Sequence, residues 1–261
     1  MTNRRVHGWY LSGLLLLTMV AGACGSKQTT PPAGTAQPDR FLFERGNAAL
    51  QEREWINART YFTQIVDGYP QSPFRPDAKL GVGDAYLGEG GAENFVLAAN
   101  EFREFLTFYP TNPRADYAQY KLAMSHFRQM RAPQRDQTET KAALTEFDVF
   151  FQKFPNSPLT PEVKQNWRVA RDRLSEASYL VGLHYYRIRW YPGAIDRFKE
   201  ILRDDAAFTA RDNVYFYLAE SLARTDKAAE AIPYFERLLT EFETSEHLDD
   251  AKVRLQALKN Q

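Results

Sequence analysis

The chain has 261 residues, with 33 basic and 33 acidic side chains, four histidines and one cysteine. Balanced charge without a run of one sign leaves no footprint for nucleic acid, and a single cysteine excludes an internal disulfide. Aromatic residues make up 14% of the chain, a share that calls for a structural reason.

At the start, Arg4 and Arg5 precede the apolar run 9–20, and Ala21-Gly22-Ala23 are small. A basic start, a short apolar stretch and small residues predict a secretory signal. The run falls short of the roughly 20 apolar residues that span a bilayer. Cys24, the only thiol, follows at once. Val20-Ala21-Gly22-Ala23-Cys24 resembles a bacterial lipobox, with Ala21 where leucine is usual. Residues 1–23 are therefore expected to be a lipoprotein signal peptide, and Cys24 to carry lipid such as palmitate. Several acyl chains, at about 0.8 kcal/mol per buried methylene, anchor stably. Gly25-Ser26 lack the aspartate that tends to mark inner-membrane retention in such lipoproteins. The resemblance thus implies the periplasmic face of an outer membrane. The segment 25–38, GSKQTTPPAGTAQP, has no large apolar residue and three prolines. With Cys24 it is predicted to be a flexible tether, reaching on the order of 45 Å.

From residue 39 on, no stretch alternates as a strand does, so the fold is predicted all-α. Helices are expected over 39–53, 55–68, 73–88, 93–108, 113–130, 137–153, 160–189, 191–204, 209–225, 227–241 and 246–259. The stretch 160–189 reads as one long helix or two in near continuity. A repeat organises them. Ala-x-x-x-Phe occurs at Ala58/Phe62, Ala98/Phe102, Ala143/Phe147, Ala194/Phe198 and Ala231/Phe235. In the first three copies Pro70, Pro110 and Pro155 follow eight residues after the Phe, each behind an aromatic residue. Gly46, Gly182 and Ala219 stand twelve residues before the Ala in three copies. This is the spacing of tetratricopeptide repeats. The small residue and the Ala let two helices approach, the Phe fills the gap to the next hairpin, and proline ends the second helix. Ser or Asn before the next Pro is expected to open the following helix as its cap. The Phe-to-Phe intervals of 40, 45, 51 and 37 exceed the usual 34, so the hairpins carry insertions. The fold class is a tetratricopeptide-like helical-hairpin solenoid of about five repeats. Repeats 1–3 fall in residues 39–155. The long connecting helix and repeats 4–5 fall in 156–261.

No enzyme motif is present. The histidines lack metal-ligand spacing, and no phosphate loop or nucleophile elbow occurs. Leu80-Gly81-Val82-Gly83-Asp84 reads as close helix packing rather than a dinucleotide loop. No cofactor and no metal is expected. A hairpin array instead offers an inner surface of first helices on which extended peptides lie. Asn47, Gln51, Asp84, Tyr86, Asp116, Tyr117 and Tyr120 are the candidates to hydrogen-bond a bound backbone.

Tyr109-Pro110-Thr111-Asn112-Pro113-Arg114-Ala115-Asp116-Tyr117 resembles a segment of the BamD family, the lipoproteins of the outer-membrane β-barrel assembly machine. Phe154-Pro155-Asn156-Ser157, Arg171-Asp172-Arg173-Leu174 and Tyr185-Tyr186 are similar to further segments. The resemblance implies a non-enzymatic scaffold with three kinds of partner: the insertase's periplasmic domains, other assembly-machine lipoproteins and unfolded outer-membrane proteins. It implies that the first repeats hold a substrate's C-terminal strand. Arg197 matches an arginine at the family's insertase-facing end. The alternative reading is a structural or cell-envelope-coordinating repeat lipoprotein. Such proteins usually carry heptads before the repeats, and 25–38 has none.

Overall fold

The computed structural model describes residues 29–260, so the expected signal peptide and Cys24 lie outside the described residues. Among the described residues there are eleven α-helices and no strand. They are α1 (Pro38–Gln51), α2 (Trp55–Gly68), α3 (Arg75–Glu89), α4 (Ala92–Phe108), α5 (Ala115–Phe127) and α6 (Thr138–Lys153), followed by α7 (Thr160–Arg187), α8 (Tyr191–Asp204), α9 (Arg211–Ala223), α10 (Ala228–Glu241) and α11 (Leu248–Lys259). The odd-numbered helices up to α9 are the first helices of five hairpins, and the even-numbered ones are the second.

The repeat residues do what their spacing predicts. All five repeat alanines are fully buried, and none of the five phenylalanines is more than 1% exposed. Phe62 shows why. Its ring lies between Gly46 of α1 and Gly81 of α3, where an added Cβ would come within 2.6 and 2.5 Å of it. One ring thus seals its own hairpin and the next. Gly83 meets Phe102 and Gly182 meets Phe198 in the same way. Gly81 and Gly83 are therefore packing residues.

The turns differ from expectation. α3, α5, α9 and α11 begin two residues later than the sequence predicts. After α2, the Ser72 N–H donates to the Tyr69 carbonyl at 3.0 Å and the Arg75 N–H to the Ser72 carbonyl at 3.1 Å. Ser72 Oγ accepts from the Phe74 N–H at 3.1 Å. The serine folds a turn ahead of the helix and does not cap it; the N-cap residue of α3 is Phe74. Ser157 and Ser245 do likewise. Each serine also reaches back to an aspartate near the start of its hairpin. Ser72 donates to Asp39 at 2.6 Å, Ser157 to Asp116 at 2.6 Å and Ser245 to Asp212 at 2.8 Å. These bonds close the first, third and fifth hairpins at one edge of the array.

First helices of successive hairpins touch: α1 with α3, α3 with α5, α5 with α7, and α7 with α9. Second helices make no comparable contact. The array therefore curves with the first helices inside. α7 is one continuous helix of 28 residues, roughly 42 Å long. Val163 and Ala170 join the core around Phe147 and Phe150. Tyr179, Tyr185 and Tyr186 pack on the core around Phe198 and Leu218. One rigid helix is thus shared by the third and fourth hairpins. At the other end, the described part of the expected tether, residues 29–38, touches the first hairpin. Thr35 closes a turn onto Pro32, and Gln64 Nε2 donates to the Thr29 carbonyl at 3.0 Å.

Candidate functional site

The inner surface is built by α1, α3, α5 and the first half of α7. Near its middle, Tyr117 of α5 donates to the carboxylate of Asp84 in α3, at 2.8 and 2.9 Å from its two oxygens. Lys121, one turn beyond Tyr117, has its Nζ 3.9 Å from that carboxylate. The Lys121 ammonium and the Arg114 guanidinium lie 5.2 and 4.7 Å from the Tyr117 ring centre. Burial raises the Asp84 carboxyl above its ordinary value, and Lys121, Tyr117 and Arg114 only partly oppose it. Burial and the Asp84 carboxylate also raise the Tyr117 phenol, which stays a donor at neutral pH. One layer on, Tyr120 donates to Glu162 at 2.6 Å and accepts from Asn166 at 2.9 Å, joining α5 to α7.

Of the residues picked from sequence, Asp84 and Tyr117 are brought together. Asn47 is half-buried on α1, and Gln51 is exposed at the end of that helix. The others serve the stack. Tyr86 lies under the Arg59 guanidinium of α2, 4.5 Å from its ring centre. Asp116 holds Ser157 at the turn. Tyr120 is only 5% exposed, so its ring is a core residue. Sequence reasoning missed Arg114, Lys121, Glu162 and Asn166. Lys121 was open to discovery, because it falls four residues from Tyr117 on one helical face. Glu162 and Asn166 were not, because the insertion before α7 hides the register.

Arg197 is exposed on α8 and pairs with Glu200 at 2.9 Å. It lines a cavity of about 310 Å³ together with Lys141, Arg171, Glu200 and Asp204. Three cations there face two carboxylates, so the cavity suits a partner bearing acid groups. Nothing in either place pairs a nucleophile with a base. No group of three or more His, Cys, Asp or Glu is placed to hold a metal among the described residues. No helix among them is long and apolar enough to cross a membrane. What the two surfaces offer is hydrogen bonding and charge.

The stacked hairpins, closed by Ala–Phe contacts and serine turns, define a tetratricopeptide-type scaffold. The tetratricopeptide repeat family itself matches residues 213–245. The chain belongs to the YfiO family of outer membrane lipoproteins, which matches residues 35–224. Outer membrane protein assembly factor BamD of Caulobacter vibrioides is 26% identical over 212 residues, covering 81% of this chain and 68% of that protein. The factor of the same name from Vibrio cholerae is 25% identical over 201 residues, covering 73% and 80%. A solved structure, the TPR2AB domain of yeast Sti1 in its pHSP90 complex, aligns with a TM-score of 0.48 at 10% identity, covering 85% of this chain and 83% of that one.

Proposed function

We propose that this protein is the lipid-anchored repeat scaffold of an outer-membrane β-barrel assembly machine. In this role it is not an enzyme. It receives unfolded barrel proteins on its first repeats and docks its last repeats on the insertase's periplasmic domains. The observation that carries the reading is membership of an outer membrane lipoprotein family over residues 35–224, with assembly factors among the relatives.

The geometry is suited to the two tasks. An extended strand presents backbone groups on both edges and side chains on alternate faces. Asn47 and Gln51 on α1 offer amides to such a backbone. Arg114 and Lys121 add positive charge beside Tyr117, where a strand's terminal carboxylate is held by charge-assisted hydrogen bonds. At the other end, Arg197 with Lys141 and Arg171 presents cations to an acidic docking partner. The shared helix α7 sets the angle between the two ends, so a substrate delivered to one is held at a fixed position relative to the other.

Solubilising membranes in mild detergent and isolating the native protein tests the reading. The barrel-forming insertase and its companion lipoproteins are expected to co-purify in stoichiometric amount. Co-purification of cell-wall-coordinating proteins alone would reject it in favour of the structural role.

A further inference from the structure

Three hairpin tips share one backbone geometry. In each, a residue with positive φ follows the first helix: Arg53 at 59°, Arg189 at 63° and Asp226 at 57°. The next N–H then reaches back five residues: Glu54 to Ala49, Trp190 to Tyr185 and Lys227 to Leu222. The positions on either side of the strained residue are Glu52 and Glu54 in the first tip, and Thr225 and Lys227 in the fifth. In the fourth tip they are Ile188 and Trp190. Two positions that the same turn fills with polar side chains elsewhere are here apolar, and they are 57% and 51% exposed. The turn itself does not require them.

The tip is also ordered and cationic. The Trp190 ring packs at 4.5 Å, edge to face, on Tyr185 and sits over Gly193, where a Cβ would come within 2.7 Å. No acid occurs between Glu176 and Asp196. Arg187 and Arg189 are exposed, and neither has an acidic partner within salt-bridge distance among the described residues. Tryptophan favours the membrane–water interface because one end of its ring is apolar and the other polar. Arginine beside it is drawn to lipid phosphate.

We propose that the fourth hairpin tip contacts a phospholipid surface, with Ile188 and Trp190 entering the interfacial layer and Arg187 and Arg189 meeting anionic headgroups. The occupant follows from charge, shape and place. The tip is a turn with two half-exposed apolar side chains, far smaller than a protein–protein interface of about 800 Å² per partner. It belongs to a family of outer membrane lipoproteins, so a bilayer is at hand. A chain tethered there meets that surface at high effective concentration, and a weak contact then suffices to orient it. This rests on the family's membrane association and not on the substrate or insertase assignments. It would hold the fourth hairpin close to the bilayer.

The test uses the full chain, coupled through Cys24, its single thiol, to maleimide lipid in vesicles. The vesicles contain about 30% phosphatidylglycerol, enough for a negative surface, with or without brominated acyl chains. The emission lost on Trp190→Phe isolates the Trp190 signal. Bromine is expected to quench that signal at least twofold, and the lipid to shield it from iodide. Arg187→Gln with Arg189→Gln is expected to weaken the contact roughly 30-fold, as about 1 M salt should also do. Ile188→Glu, which copies the first tip and so keeps the turn, is expected to abolish the quenching at an unchanged circular dichroism spectrum. Bromine without effect on a Trp190 open to iodide would overturn the proposal. So would a photo-cross-linker at position 188 that marks one protein in native envelopes while bromine leaves Trp190 untouched. Because no insertase is present in the vesicles, the outcome is independent of the assembly reading.

Discussion

Arg168 and Asp205 tie the two helices of the fourth hairpin together through a buried ion pair. Arg168, in the first half of α7, donates from Nη1 and Nη2 to the two carboxylate oxygens at 2.9 and 2.5 Å. Asp205 follows the last residue of α8, and its side chain is 4% exposed. Ser175 donates to the same carboxylate at 2.6 Å. In the other four hairpins the residue after the second helix is aromatic: Tyr69, Tyr109, Phe154 or Phe242. Here a carboxylate takes that place and binds α7. Asp205→Asn removes the buried carboxylate and leaves Arg168 only Asp172, 2.9 Å away on its own helix. The expected loss is about 2–3 kcal/mol, below the full cost of breaking a buried pair because Arg168 stays a quarter exposed. Urea unfolding of the full chain measures it. Arg168→Met with Asp205→Leu should cost less than either single change.

The same carboxylate sets a pH dependence. Burial works against its ionisation, but the hydrogen bonds from Arg168 and Ser175 and the charges of Arg168 and Arg171 outweigh that and hold it below the ordinary value. A depressed folded-state value contributes stability above about pH 4, the unfolded value, and loses it as pH falls through the folded value. Asp84 runs the other way: its carboxyl is raised, so its contribution improves as pH falls toward about 4. The stability gap between the native protein and Asp205→Asn should therefore close below about pH 4. Asp84→Asn should remove a gain that the native protein shows in mild acid. Unfolding midpoints across pH for the three proteins check both signs.

Phe62 and Gly81 test the packing of the repeat. Phe62→Ala should cost about 3–5 kcal/mol, since the ring is buried between two hairpins. Gly81→Ala places a Cβ 2.5 Å from that ring and should cost about 1–3 kcal/mol by overpacking, beyond the roughly 1 kcal/mol that alanine gains in helix propensity. The double variant should be less damaged than the sum, because the cavity left by the ring takes up the methyl group. Strict additivity in a double-mutant cycle would show that the two residues do not meet.

Much of this fold was legible because tetratricopeptide packing is periodic. Each Ala–Phe pair marks a crossing of two helices, and each crossing needs the same small and large side chains. What lies between crossings was less legible. Turns ahead of the helix displaced four helix starts; before α3 and α11 a serine hydroxyl folds that turn, and before α5 the Asn112 side chain does. Tyr86 and Tyr120 look like surface residues by type, yet one sits under Arg59 and the other in a core, since a tyrosine satisfies its hydroxyl inside a stack as well as outside. Asp205 carries no repeat signal of its own. Its partner lies 37 residues back on a helix whose length the repeat spacing does not specify.

The expected lipid on Cys24 is checked by mass spectrometry of the mature N-terminus. An acylated Cys24 is the predicted species, and Cys24→Ser should release the protein from membranes with its unfolding midpoint unchanged. A mature chain that begins elsewhere and carries no lipid would contradict it.

The central claim is that the two ends of the array bind different partners, and photo-cross-linking in intact envelopes tests it most directly. A cross-linker at Asn47 or Gln51 should capture unfolded barrel protein through its C-terminal strand. One at Arg197 should capture the insertase's periplasmic domains. Arg197→Glu should lower insertase capture at least tenfold and leave substrate capture within about twofold, since a new like charge against acidic groups costs more than 1.4 kcal/mol. Substrate captured mainly from residues 209–260, or both captures lost together on Arg197→Glu, would contradict the account and favour one continuous binding groove.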